Sequence, residues 1–156
     1  FIKKHFKGAK IIAGIKPAGA ALFKDVETVV LNLKEGHGIT GVYADSTSAA
    51  TKAVSKISEI LGSSVVLTRG EYGMTLFERK PINRITHIPK VAKEVYDVTG
   101  AGDTVVSVLS LALAAKASMK DAANLANFAA GIVVGKLGAA SVSINEIKNV
   151  IKVKIT

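Results

Sequence analysis

The chain has 156 residues, 21 Lys and Arg against 12 Asp and Glu for a net charge of +9, 49% hydrophobic residues, 5% aromatics, and neither Cys nor Trp. That length suits one domain, the apolar fraction excludes wholesale disorder, and the lack of cysteine excludes a disulfide scaffold and thiolate chemistry. The basic excess does not read as a nucleic-acid footprint, because it is spread along the chain: seven basic and three acidic residues in 1–40, eight and six in 41–100, six and three in 101–156. Eighteen of the 21 basic residues are Lys, whereas base readout favours bidentate Arg and single-strand binders interleave aromatics. The charge reads as solvated surface, with attraction of an anionic substrate as its other use.

In chain order, Phe1 to Phe6 reads as the end of an amphipathic helix already under way. It shows no signal-peptide pattern, and a start on Phe reads as part of a longer chain. Gly8 breaks that helix. Residues 10–15 form a short strand, and Lys16 to Gly19 a loop. Thr28-Val29-Val30-Leu31 is a β-branched run typical of a strand buried on both faces. Residues 46–61 read as a helix capped by Asp45 or Ser46, and 64–68 as a second buried strand. Residues 74–79 and 82–88 suit a hairpin around Lys80-Pro81. Two nearly all-apolar helices follow at 103–116 and 121–136. Both fall short of the roughly 20 apolar residues a membrane span needs, so they read as helices packed on a sheet, with no membrane role. A last amphipathic helix covers about 144–153. Strands alternating with helices predict an α/β fold with a mainly parallel sheet.

The segment richest in chemistry is Asp97-Val98-Thr99-Gly100-Ala101-Gly102-Asp103, directly before an apolar helix. Gly100 and Gly102 remove Cβ atoms that would block close approach of backbone to a ligand. The first helical turn offers unpaired N–H groups to an anion. Asp103 at that turn can take a proton from a hydroxyl while the amides hold phosphoryl charge. A glycine turn with Asp103 as a plain cap fits the same residues.

Three other groups stand out. Asn32-Leu33-Lys34-Glu35 sets an amide and a carboxylate one helical turn apart, able to share a hydrated Mg²⁺ or to cap a helix. Thr68-Arg69-Gly70-Glu71-Tyr72-Gly73 is a glycine-bearing turn whose plain reading is a hairpin entry. Asn127 lies on an apolar helix, where it needs a ligand or backbone partner. His5, His37 and His87 lack metal-ligand spacing.

Residues 97–103 resemble the second signature, of D-T-x-G-A-G-D type, of the ribokinase-like (PfkB-type) carbohydrate kinases, with Val98 where Thr is common. The other groups follow in that family's order. The resemblance implies a three-layer α/β/α fold of which this chain is the C-terminal, nucleotide-binding portion, the family being about twice as long. It implies Asp103 as the catalytic base and Gly100, Ala101 and Gly102 as the anion hole. It implies Asn32 and Glu35 for Mg²⁺, through water. Thr68, Gly70 and Gly73 would lie along the ATP phosphates, and Asn127 near adenine. The loop at 136–141, with Gly138, and Asp97 would hold a monovalent cation such as K⁺. Residues 95–104 and 131–138 look closest to the heptose-7-phosphate kinases of lipopolysaccharide-core precursor synthesis. That implies phosphorylation of an anomeric hydroxyl in the cytoplasm, with ribose, fructose and nucleoside kinases sharing the same motifs. A parallel sheet cut in half exposes a strand edge, so association with another copy or with a missing N-terminal segment is expected.

Overall fold

The computed structural model describes His5, residues 8–92 and residues 94–155. One sheet runs in the order β1 (Ile12–Gly14), β2 (Thr28–Asn32), β3 (Ser64–Thr68), β4 (Met74–Glu78), β5 (Arg84–Ile88). The first three strands are parallel, with Val29 opposite Val65 and Val30 opposite Val66. The last two turn back antiparallel, with Val66 opposite Leu76 and Leu76 opposite Thr86. The helices are α1 (Leu33–Thr40), α2 (Thr47–Leu61), α3 (Ala101–Ala114), α4 (Met119–Val133) and α5 (Ile144–Ile155).

Side chains alternate across a strand, and here both faces are covered. Val29, Leu31, Val65 and Leu67 pack with Val54, Ile57 and Leu61 of α2. Val30, Val66, Met74 and Leu76 pack with Val105 and Leu109 of α3 and Ala126 of α4. This is the three-layer α/β/α arrangement, and it explains the unbroken β-branched runs of β2 and β3. Each fully buried Val, Leu or Ile contributes about 1.5–3 kcal/mol, so the middle strands fix where their ends stand.

Local chemistry sets the element ends. Ser46 caps α2 by accepting from the Ala49 amide at 3.1 Å, and Ser118 caps α4 by accepting from the Asp121 amide at 3.1 Å. That cap starts α4 two residues ahead of the predicted 121. Helix α3 likewise opens at Ala101 rather than 103, because Gly100 adopts φ 79° and turns the chain into it. Strand β1 is shorter than the predicted 10–15 and forms the edge of the sheet. The helix expected at Phe1–Phe6 lies, His5 apart, outside the described residues. Among the described residues no helix is long and apolar enough to cross a membrane.

The parallel strands β1, β2 and β3 end together at Gly14, Asn32 and Thr68. In open parallel sheets ligands bind beyond these carboxyl ends.

Candidate active site

At the end of β2, Asn32 is both the last strand residue and the N-cap of α1. Its Oδ1 accepts from the Glu35 amide at 2.9 Å, and Glu35 Oε2 accepts from the Asn32 amide at 2.8 Å. This reciprocal capping box satisfies two helix-end donors and locks the Glu35 carboxylate over the strand end. Glu35 Oε1 accepts from the Lys16 ammonium. Glu35 accordingly has a single carboxylate oxygen shared with a cation, and no group of three or more His, Cys, Asp or Glu clusters for a metal among the described residues. The donor set fits a Mg²⁺ held through water and substrate phosphates, the usual arrangement for that ion, and does not fit an all-protein cage.

The turn from β3 to β4 is built inward. Arg69, 5% exposed, donates to the carbonyls of Ala44 and Ser46 at 3.2 Å and of Tyr72 at 2.9 Å. Its guanidinium also lies 5.8 Å from the Tyr72 ring centre. Burial and neighbouring charge pull in opposite senses on Arg69, and burial lowers its pKa on balance. Gly73 has φ 77° and ψ −133°, and a Cβ there would stand 2.1 Å from the Ile88 carbonyl oxygen. The close approach of the chain after β5 therefore demands glycine. Thr68 Oγ1 donates to the Leu31 carbonyl at 3.3 Å. The segment is a hairpin turn and, at the same time, one wall of a cleft.

The turn into α3 is built outward. Nothing lies within 4 Å of a Cβ placed on Gly100 or Gly102. Gly100 is the N-cap of α3 and provides no side-chain cap. Its carbonyl accepts from the Thr104 amide at 2.9 Å, and the Ala101 amide donates to the Val98 carbonyl at 3.2 Å. The Gly102 and Asp103 amides have no partner among the described residues. Asp103 is exposed on this first turn. Behind it, Asp97 accepts from the Thr99 amide at 2.8 Å and from the Gly138 amide at 3.2 Å. Asp97 thus ties the 97–100 loop to the loop 41 residues further on. Hydrogen bonds from Thr99, its side chain foremost, hold the Asp97 carboxyl below the ordinary range.

Between the two turns lies a cleft of about 720 Å³, a size that suits a nucleotide-sized ligand. Asn32, Thr68, Gly70, Gly73, Ala101, Gly102 and Asn127 all line it. Glu35, Gly100 and Asp103 stand beside it, each one turn or less from a lining residue, while Asp97 and Gly138 form the joint behind α3. Asn127 is 7% exposed, and its amide nitrogen donates to the Pro89 carbonyl at 2.8 Å. It pins the segment that closes the cleft's apolar side.

A family model described as pfkB family carbohydrate kinase matches residues 9–146. The chain belongs to this family. Among curated pfkB-type relatives, the bifunctional protein HldE of Pseudomonas syringae pv. syringae is 40% identical over 146 residues, 94% of this chain and 30% of that protein. HldE of Azotobacter vinelandii is 38% identical over the same span. The chain therefore spans about a third of the length of these relatives. Among solved structures, Arabidopsis thaliana ribokinase complexed with ribose and ATP superposes with TM-score 0.80 at 24% identity, over 93% of this chain and 48% of that one. Phosphofructokinase-2 of Escherichia coli in complex with potassium gives TM-score 0.81 at 19% identity, over 96% and 49%. At such identities the likeness is one of fold.

Within the candidate site of this pfkB-family chain the sequence reading missed several residues. Lys34, Tyr43 and Lys90 line the cleft, but each is a lone residue in a loop or first turn, with no spacing to betray it. The apolar wall at Val91, Ala92 and Val95 comes from irregular chain after β5, where periodicity says nothing. Lys16 read only as part of a loop, yet it reaches Glu35.

Proposed function

We propose that this chain is the C-terminal, nucleotide-binding and catalytic portion of a sugar kinase that transfers the γ-phosphoryl group of ATP to a sugar hydroxyl. The observation that carries the reading is the open first turn of α3, with free amides at Gly102 and Asp103 and an exposed carboxylate beside a cleft of nucleotide size. In this reading ATP lies across the strand ends, its phosphates along Thr68, Gly70 and Gly73 and its base toward Asn127. Asp103 takes the proton from the acceptor hydroxyl. The new bond joins the sugar oxygen to the γ-phosphorus, the bond to the β,γ-bridging oxygen breaks, and ADP leaves. The turn at Gly100–Gly102 faces the transferred group. Because the Ala101 amide is already bonded to Val98, the Gly102 and Asp103 amides are the donors left for it.

Asn32 and Glu35 would hold Mg²⁺ through water, and that ion would neutralise charge on the ATP phosphates. The joint between Asp97 and Gly138 would seat a monovalent cation such as K⁺ through backbone oxygens. The acceptor we propose is heptose 7-phosphate, phosphorylated at its anomeric hydroxyl in the cytoplasm. Its support is the likeness of residues 95–104 and 131–138 to that subgroup and the 40% identity to HldE. Edge strand β1 would be covered by an N-terminal segment or by another copy.

The test is Asp103→Asn in the natural protein that carries this chain, assayed against heptose 7-phosphate, ribose, fructose and nucleosides. Turnover is expected to fall by about 10²–10⁴, the worth of general-base help, with ATP affinity nearly unchanged. Normal turnover in the variant would remove Asp103 as the base. The short span relative to the relatives favours a second reading, a nucleotide-binding module that is inactive alone. Binding of ATP with Mg²⁺ to the isolated chain, without sugar phosphorylation, is its expected result.

A further inference from the structure

We infer that Lys16 is a catalytic residue of this phosphoryl transfer, its ammonium contacting the transferred group from beside Glu35, where the parallel strands end. The inference rests on the sugar-kinase reading above and adds a residue to it.

The backbone of Lys16 is held on both sides. Before it, Ile15 is buried and its amide donates to the Val30 carbonyl at 3.2 Å. After it, Pro17 opens the 3-10 turn Pro17–Phe23, whose N-cap is Lys16 itself in extended conformation. The Gly19 amide donates back to the Lys16 carbonyl at 3.1 Å. The Pro17 ring presses on Gly38 of α1, where an added Cβ would stand 2.7 Å from Pro17 Cγ. Lys16 is therefore set at a fixed place, two residues past β1, on the edge where the parallel strands end. Helix α3 rises over that same place, since a Cβ on Gly14 would stand 3.3 Å from Val106.

From this base the side chain reaches the carboxylate of Glu35, to which its ammonium donates. The ion pairs Lys10–Glu27, Arg84–Glu78 and Lys136–Glu146 do not involve Glu35.

Charge balance gives the contact its meaning. Phosphoryl transfer spreads negative charge over three equatorial oxygens, here beside two carboxylates. A helix N-terminus offers only about half a positive charge. A lysine is a compact charge on a flexible stem, and this side chain is 80% exposed while Glu35 is 13% exposed. It can swing from Glu35 onto the phosphoryl oxygens without dragging the scaffold. An ordinary surface ion pair would be energetically almost neutral and indifferent to the reaction.

The experiment uses the natural protein, its acceptor sugar, and the variants Lys16→Met, Lys16→Arg, Gly38→Ala and Asp103→Asn. Removing one charge donor from a developing anion typically costs about 10²–10³ in turnover. Lys16→Met is expected to lose that much in kcat, with ATP affinity by calorimetry within about threefold and an unchanged melting curve. Lys16→Arg is expected to recover part of the loss. Binding of ADP with aluminium fluoride, which mimics the transferring group, is expected to weaken in Lys16→Met by the same factor as kcat. Gly38→Ala keeps the ammonium but shifts Pro17, and is expected to lower kcat more than it raises KM. Turnover and aluminium-fluoride affinity of Lys16→Met within threefold of the parent, with Asp103→Asn inactive, would overturn this inference alone. Full activity in Asp103→Asn would overturn the base assignment beneath it.

Discussion

The cleft has two glycine-bearing turns, and they are built in opposite senses. The turn after β3 is closed on itself: Arg69 spends its guanidinium on three carbonyls, and Gly73 sits against the chain after β5. The turn before α3 is left open: its glycines face free space, and two of its amides have no partner among the described residues. The same residue type thus serves packing on one side and leaves open space on the other. The lesson is that glycine in a motif means nothing until one knows what its missing Cβ makes room for.

The strongest way to break this contrast is to add a methyl group on each side. Gly73→Ala forces a Cβ into the Ile88 carbonyl and keeps an L residue at φ 77°. With overpacking and backbone strain each worth 1–3 kcal/mol, it is expected to destabilise the fold by roughly 2–5 kcal/mol in urea titration. Gly102→Ala meets nothing within 4 Å and replaces a poor helix former, so stability is expected to hold or rise by up to about 1 kcal/mol. Its cost is expected in turnover instead. Equal losses of stability in the two variants would erase the distinction.

A smaller effect tests the closed turn through its polar anchor. Arg69→Met keeps the stem but removes the donors to Ala44, Ser46 and Tyr72. Orphaned buried acceptors cost about 1–3 kcal/mol, and the loss should appear in urea titration. Because the three carbonyls lie on the entry to α2 and on the turn itself, ATP affinity is expected to weaken too. An unchanged midpoint would show that the turn does not depend on this side chain.

The sequence made the middle of the sheet legible because β2 and β3 are buried on both faces and show it as unbroken β-branched runs. Helix α2 was legible from Ser46 and the apolar period behind it. Helix starts were harder. A left-handed Gly100 and a capping Ser118 move α3 and α4 two residues earlier, and neither conformation is visible in composition. Asn32, Thr68, Gly70, Gly73, Ala101, Gly102 and Asn127 line one cleft, while Glu35, Gly100 and Asp103 stand beside it and Asp97 and Gly138 behind α3. Asn32 with Glu35, and Thr68 through Gly73, also turned out to satisfy the plain alternative for each, a helix cap and a hairpin turn. The atoms that build the scaffold there are the same ones a ligand would use, so sequence could not choose between the two readings. Lys16 stayed hidden for the opposite reason. Its place depends on Pro17 meeting Gly38 across 21 residues, a contact that no local pattern encodes.

The smallest effect concerns what holds the open turn from behind. Asp97 joins it to Gly138, and the Gly138 loop is anchored in turn by Lys136, which donates to the Ser141 carbonyl at 2.8 Å and pairs with Glu146 at 2.6 Å. Glu146 also accepts from the Ser143 amide and hydroxyl at 2.8 Å. Lys136 first, then Ser143, pull the Glu146 carboxyl down from 4.5 to about 2. A carboxyl whose pKa is lower in the folded state favours folding above its unfolded value, and that help fades as pH falls toward the folded value. The difference in urea midpoint between the parent and Glu146→Gln is therefore expected to be constant from pH 7 to pH 5. It should shrink steadily between pH 4.5 and pH 3. The group is exposed, so the difference is expected to be small and to weaken with salt. A difference that stays flat down to pH 3, or grows, would mean that the Lys136–Glu146 pair does not anchor the loop behind the open turn.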